Sequence, residues 1–285
     1  KTHYFNKIMK LLFIIFIFLF SFLDSKDLLK VSSIPDESIN ELHKKFLPLT
    51  QYLEKEINMK IKFVPVTDYA AVVEALATKK IDLAWLGGFT FVQAQIRSNG
   101  NIKPIIQRQK DEKFKSVFIS HKNSKIKSLK DLKNTSFAFG SPSSTSGHLM
   151  PRYFLLEKNI NPEKYFKKIA YSGAHDATVF AVLGRKVDAG VLNSVVWEKL
   201  KKKNKNIFDN VEVFFTTENY YDYNWSLIND VEKNVKDKII KAFLKLNKKE
   251  NAEILELQGA EKYITTKKEN YRQIEKAAIK AKLLN

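Results

Sequence analysis

The chain contains no cysteine. That absence removes disulfides, thiolate nucleophiles and Cys-ligated zinc. Arginine is nearly as scarce: Arg97, Arg108, Arg152, Arg185 and Arg272 are all that occur, although the formal net charge is +18. The excess is lysine spread along helix-like stretches, and the densest run, Lys201-Lys202-Lys203-Asn204-Lys205, reads as a solvated helix end. Basic and aromatic residues do not interleave in the way that stacks bases, so nucleic acid is not expected as a partner. The charge is better read as general solvation with weak steering of anions. Histidine is limited to His3, His43, His121, His148 and His175, without paired metal-ligand spacing, so no metal or other cofactor is expected.

No apolar run reaches the roughly 20 residues needed to cross a bilayer. The longest covers residues 11–20, resumes after Ser21 and follows Lys7 and Lys10, the pattern of a secretion signal. Residues 1–26 are therefore expected to be a cleaved signal peptide that delivers a soluble protein to a periplasm. Without cysteine a lipid anchor is not expected. If the segment stayed attached, a membrane-associated sensory module would be the alternative.

The remainder alternates short β-like runs with helical stretches, the mark of a parallel α/β sheet. Ten strands are expected, near residues 28–32, 61–66, 81–86, 102–107, 116–121, 136–139, 168–171, 187–193, 211–216 and 223–228. A weak internal repeat runs through them. Val73, Ala75, Lys80 and Asp82 recur, at one constant offset, as Val179, Ala181, Lys186 and Asp188. The same offset maps Tyr69 onto His175 and Gly87-Gly88 onto Asn193-Ser194. Two similar lobes would place Tyr69 and His175 at matching helix starts across a cleft, beyond the carboxyl ends of strands where ligands bind.

The richest segment follows Phe139. After Gly140, the cluster Ser143-Ser144-Thr145-Ser146-Gly147 opens into a helix-like stretch reaching about Glu157. A helix start carries unpaired N–H groups and partial positive charge, and adjacent hydroxyls donate to oxyanion oxygens. Ser144, Thr145 and Ser146 are thus candidate oxyanion ligands, with an ordinary N-cap as the plainer alternative. Ser172-Gly173-Ala174-His175-Asp176 repeats the arrangement. His175 and Tyr69 are candidate donors; Asp176 reads as an N-cap and Asp188 as a strand-end carboxylate equivalent to Asp82.

The segments Ser144-Thr145-Ser146-Gly147, Ser172-Gly173-Ala174-His175-Asp176-Ala177-Thr178 and Val187-Asp188-Ala189-Gly190 closely resemble the phosphonate/phosphite substrate-binding proteins of ABC transporters. So do Ile81-Asp82-Leu83-Ala84-Trp85-Leu86-Gly87-Gly88 and Thr67-Asp68-Tyr69-Ala70-Ala71, and the resemblance runs from about Leu28 to the C-terminus. It implies a type II periplasmic binding protein: two α/β lobes joined by two hinge strands, with a ligand cleft between. Crossovers are expected near residues 116–121 and 213–218, giving lobe 1 as 27–118 plus 219–285 and lobe 2 as 119–218. It implies a monomer that closes on a small oxyanion and docks on an inner-membrane ABC permease, without chemistry.

The resemblance also puts Asp222 at the cleft, where a carboxylate would favour protonated ligands. Phe114 stands where aminoalkylphosphonate-binding members carry a tyrosine, and Val195 where they carry a glutamate for the ligand's ammonium group. Phe114 and Trp85 are the expected apolar wall around a small, bare anion such as phosphite or methylphosphonate. Another tetrahedral oxyanion such as selenate is the alternative ligand. An enzyme on the same two-lobed fold is the rival class, with His148 beside Ser146 its best base, although at a helix start that ring would point away.

Overall fold

A computed structural model describes residues 28–284, and the segment expected to be a signal peptide lies outside them. No helix among the described residues is long and apolar enough to cross a membrane.

Eleven strands form two sheets among these residues. The first has the order β11-β4-β10-β3-β1-β2, from β1 (Leu28–Ser33), β2 (Lys60–Phe63), β3 (Leu83–Leu86), β4 (Ile102–Arg108), β10 (Asn224–Ile228) and β11 (Tyr263–Thr265). The second has the order β7-β6-β8-β5-β9, from β5 (Ser116–His121), β6 (Ser136–Phe139), β7 (Lys168–Tyr171), β8 (Ala189–Asn193) and β9 (Val211–Thr216). In each, three parallel strands meet one antiparallel strand: β10 beside β3 in the first sheet and β5 beside β8 in the second. β3 and β8 are buried along their length, which is why β3 reads as the unbroken apolar run Leu-Ala-Trp-Leu.

The internal repeat is physical. Asp82 Oδ2 accepts the Lys30 N–H at 2.8 Å, and Asp188 Oδ2 accepts the Ser136 N–H at 2.7 Å, each carboxylate tying its strand to its parallel neighbour. The offset that takes Asp82 to Asp188 also takes Lys30 to Ser136. It takes the helix Tyr69–Ala77 onto His175–Leu183, and Gly88–Arg97 onto Ser194–Lys203.

The chain passes between the sheets at residues 109–115 and 217–223, where Phe114 and Tyr220 pair as an isolated antiparallel bridge. β5 and β9 lie wholly in the second sheet. The first passage therefore precedes the expected boundary at residue 118, because β5 pairs with β8 from Ser116 onward.

Unanticipated elements are the edge strand β11, the short helices Pro162–Tyr165 and Lys205–Asn210, and the long helix Ile39–Ile57. Leu42, Phe46, Leu49, Leu53 and Ile57 bury one stripe of that helix, at the spacing a helix dictates, although Pro48 lies inside it. Its stripe joins the largest apolar core, with Trp85, Trp225 and Phe243, while two smaller clusters pack about the second sheet.

Candidate functional site

Ser144, Thr145, Ser146, Tyr69, His175, Asp222, Phe114 and Trp85 are all buried. They come together where the two sheets meet. β6 delivers the chain to Ser144, whose side-chain oxygen accepts the Gly147 N–H at 3.0 Å. Residues Thr145–Leu149 then form a wide turn, with the Leu149 N–H bonded back to Ser144 O at 2.9 Å, before the helix Met150–Glu157. Such wide turns recur at functional sites, and the N–H groups of Thr145 and Ser146 have no intrahelical acceptor. The space at Gly147 is taken by protein: a Cβ there would lie 3.2 Å from Gly140 Cα and 3.1 Å from His175 Cε1.

Tyr69 and His175 open their matching helices. Burial drives the Tyr69 hydroxyl well above its ordinary pKa, so it is a neutral donor, and it has no well-formed hydrogen bond among the described residues. Asp36 reinforces that rise, and the Ser144 hydroxyl opposes it. Burial lowers His175 to about 4, outweighing the pull of Asp36. The ring is therefore neutral near pH 7, and the Coulomb attraction a charged ring would have added is absent. Its Nε2 lies 3.2 Å from the Tyr223 hydroxyl, and its buried Nδ1 has no partner among the described residues.

Asp222 Oδ1 accepts the Gly88 N–H at 3.0 Å, and Oδ2 closes no well-formed hydrogen bond among the described residues. Burial pushes this carboxyl up to about 7; the Gly88 N–H and the Thr145 hydroxyl oppose it, nearby Asp111 reinforces it, and the Ser146 hydroxyl again opposes it. The Thr145 side-chain oxygen in turn accepts the Phe89 N–H at 2.9 Å, binding the second sheet's turn to a helix of the first. Trp85 stacks on Tyr223 with ring centroids 5.1 Å apart, and Phe114 meets Tyr223 edge-on at 5.3 Å. The Arg108 guanidinium lies over both Trp85 and Tyr223 and is paired with Asp111 at 2.7 Å.

Several local expectations change. The turn before His175 is closed by protein, because the His175 N–H donates to Asp36 O at 3.0 Å; only the side chain contributes to the site. Asp176 does not cap that helix, whose N-cap is Ala174. Its Oδ2 instead accepts the Ser38 N–H at 2.9 Å, joining the two halves. The lysine-rich helix end is largely exposed, with Lys203 reaching Glu41 at 3.8 Å; one turn earlier in the same helix, Lys199 pairs with Glu37 and, at 2.7 Å, with Glu41 across the gap. His148 is structural, with Nδ1 at 2.7 Å from Pro142 O and Nε2 accepting from Arg152 Nε at 2.9 Å.

Tyr223, Asn193 and Asp36 were not singled out from sequence. Their local motifs are ordinary, and only the meeting of distant segments gives them partners. Beside the site lies a cavity of about 820 Å³ between the sheets, bordered by Phe114, Tyr223, Asn193 and Val195. None of Ser144, Thr145, Ser146, Tyr69 or His175 lines it; these side chains are buried behind Phe114 and Tyr223.

The family model for the periplasmic substrate-binding proteins of phosphonate ABC transporters matches residues 31–271. The "Probable ABC transporter phosphite binding protein PhnD1" of Prochlorococcus marinus is 40% identical over 263 residues, 87% of each chain. The Escherichia coli phosphonates-binding periplasmic protein is 32% identical over 59% of this chain and 51% of its own length. The crystal structure of Prochlorococcus marinus PhnD1 with methylphosphonate superposes with a TM-score of 0.86 at 38% identity, covering 91% of this chain and all of that one. Two sheets of similar topology that meet at a buried polar cluster, and sequence kinship along nearly the whole described chain, agree: this protein belongs to the periplasmic substrate-binding proteins of phosphonate ABC transporters.

Proposed function

We propose that the protein captures a small phosphonate- or phosphite-type oxyanion in the periplasm and presents it, as a closed monomer, to an inner-membrane ABC permease. One observation carries the reading. Three buried polar atoms from three elements, Tyr69 Oη, His175 Nδ1 and Asp222 Oδ2, lack a well-formed partner among the described residues. Each adjoins the same turn: Tyr69 at Ser144, His175 at Gly147, and Asp222 at Thr145 and Ser146. Buried polar groups are ordinarily satisfied, so three around one turn call for a polar ligand.

The two sheets serve as lobes, with residues 109–115 and 217–223 as the hinge and residues 1–26 as the cleaved export signal. The anion is held by neutral donors: the Tyr69 hydroxyl, the Ser144, Thr145 and Ser146 hydroxyls, the N–H groups of the wide turn and the His175 imidazole. Nearby buried cations are already committed, Arg108 to Asp111 and Lys45 to Asp36 at 3.5 Å. Neutral donors select by geometry without the desolvation penalty of a buried ion pair. Phe114 and Trp85 wall the fourth position on phosphorus, where a substituent or hydrogen would sit.

Isothermal titration against phosphite, methylphosphonate, 2-aminoethylphosphonate, phosphate, sulfate and selenate tests this. Phosphite or methylphosphonate should bind most tightly; a preference for selenate would keep the site and change the ligand. Replacing Ser144, Thr145 and Ser146 together by alanine should weaken binding by several orders of magnitude, each lost bond to the anion contributing about 1.5–3 kcal/mol. Near-native affinity in that variant would place the site elsewhere.

A further inference from the structure

We propose that Tyr223 and Asn193 are positioning residues that hold the single imidazole proton of His175 on Nδ1, so that this ring donates at the anion rather than accepting. The anion half of the statement rests on the function proposed above. The proton's position is a property of the protein alone.

The argument starts at a helix cap. Asn193 closes β8 and caps the helix Ser194–Lys203, its Oδ1 accepting the Val196 N–H at 2.6 Å. A backbone donor there requires the amide oxygen, so the other end of the side chain is the NH2 group. That Nδ2 lies 2.8 Å from the Tyr223 hydroxyl oxygen. An amide NH2 only donates, so the phenol oxygen accepts, and its one proton is left for its other neighbour. The other neighbour is His175 Nε2, at 3.2 Å. Nε2 therefore accepts. A neutral imidazole has one proton, and with Nε2 accepting it resides on Nδ1. Nδ1 is the buried atom that has no partner among the described residues.

The remaining groups keep this chain of donors in order. Burial leaves His175 neutral near pH 7, having lowered it to about 4. Burial, and then Asp36, Tyr69 and Asp222, hold the Tyr223 hydroxyl well above its ordinary value, so it keeps the proton it donates. The phenol ring is fixed between Trp85 and Phe114. Asn193 ends β8 of the second sheet and His175 opens a helix that follows β7 of that sheet, whereas Tyr223 leads into β10 of the first. The tautomer is thus set where the two halves meet, linking closure to the completion of the donor set.

The tautomer is directly observable by nitrogen-15 NMR of the imidazole rings in labelled protein without added anion, with His175 assigned by comparison with His175→Gln. The expected wild-type signal is a protonated Nδ1 and a bare Nε2. Tyr223→Phe removes the donor to Nε2 and should shift His175 toward the Nε2–H form. Asn193→Asp is the sharper variant, because a carboxylate still caps Val196 but now takes the Tyr223 proton. The phenol oxygen would then accept from Nε2–H, inverting the tautomer and turning a bare Nδ1 toward the anion. Phosphite affinity should fall by about 10- to 100-fold in both, more in Asn193→Asp because it adds charge. A wild-type His175 protonated on Nε2, or an Nδ1–H form that persists in both variants, overturns the positioning role. The expected tautomers together with unchanged phosphite affinity in His175→Gln would overturn its role at the anion while leaving the relay standing.

Discussion

Replacing Asp222 by asparagine isolates the electrostatics of the site. Burial pushes this carboxyl up to about 7, against the Gly88 N–H that favours its ionised form. In the unfolded chain an aspartate titrates near about 3.9. From about pH 4 to about pH 7 the folded protein therefore keeps a proton that the unfolded chain has released. The sign follows: stability is full below that window and falls as pH rises through it, by up to about 1.4 kcal/mol per pH unit. Across the whole window the loss reaches about 4 kcal/mol. Asp222→Asn keeps an acceptor for the Gly88 N–H and does not ionise. Urea unfolding of both proteins at about pH 5 and about pH 8 should show the balance swinging toward the variant by about 2–4 kcal/mol. The same change should flatten the pH dependence of anion binding, since the ionised carboxylate repels an oxyanion and asparagine does not. Parallel stability profiles for the two proteins would refute the reasoning.

The proposed ligand chemistry yields three further expectations. 2-Aminoethylphosphonate should bind far more weakly than phosphite, because Val195 packs toward Gly259 and offers an ammonium no partner, an unpaired buried charge costing several kcal/mol. Val195→Glu should restore part of that affinity by calorimetry, and a wild-type preference for the aminoalkyl ligand would show that Val195 does not face it. Phosphite should bind at least about tenfold more tightly than phosphate, whose extra oxygen meets the wall of Phe114 and Trp85 without a donor; Phe114→Tyr should narrow the gap, and equal affinities in the wild type would remove the selectivity argument. In Gly87→Ala the new Cβ would lie 2.7 Å from the Thr145 side-chain oxygen, so the contact between the halves must shift at a cost of about 1–3 kcal/mol, read as weaker anion binding. An unchanged dissociation constant would mean that Thr145 moves aside freely.

Much of the architecture was legible because it is local and periodic. Ten of the strands follow from short apolar runs bounded by turns, and Asp82 and Asp188 announce the repeat because each must tie its strand to a parallel neighbour. The helix start at Ser144-Thr145-Ser146 was readable for the same reason, since hydroxyls between a strand and a helix signal free N–H groups, whereas its widening into a looser first turn was not. The helix Ile39–Ile57 carried its signal too, in the spacing of Leu42, Phe46, Leu49 and Leu53, despite Pro48. β11 had no comparable signal, because three residues at a sheet edge take their conformation from the β4 partner.

Whatever depends on partners far away in the chain was decided only by the tertiary structure. Asp176 looks like a cap locally, yet it receives an N–H from Ser38 of the other half. Tyr223 looks like one tyrosine among several, yet Asn193 and His175 converge on its hydroxyl. The charge states of His175 and Asp222 are likewise tertiary facts, because dehydration of a group is set by everything packed around it. Sequence alone determined most of the elements, the repeat and the hydroxyl-rich helix start, since these depend on near neighbours. Burial, proton positions and the meeting of the site residues required the fold, because each arises from contacts between segments that only folding brings together.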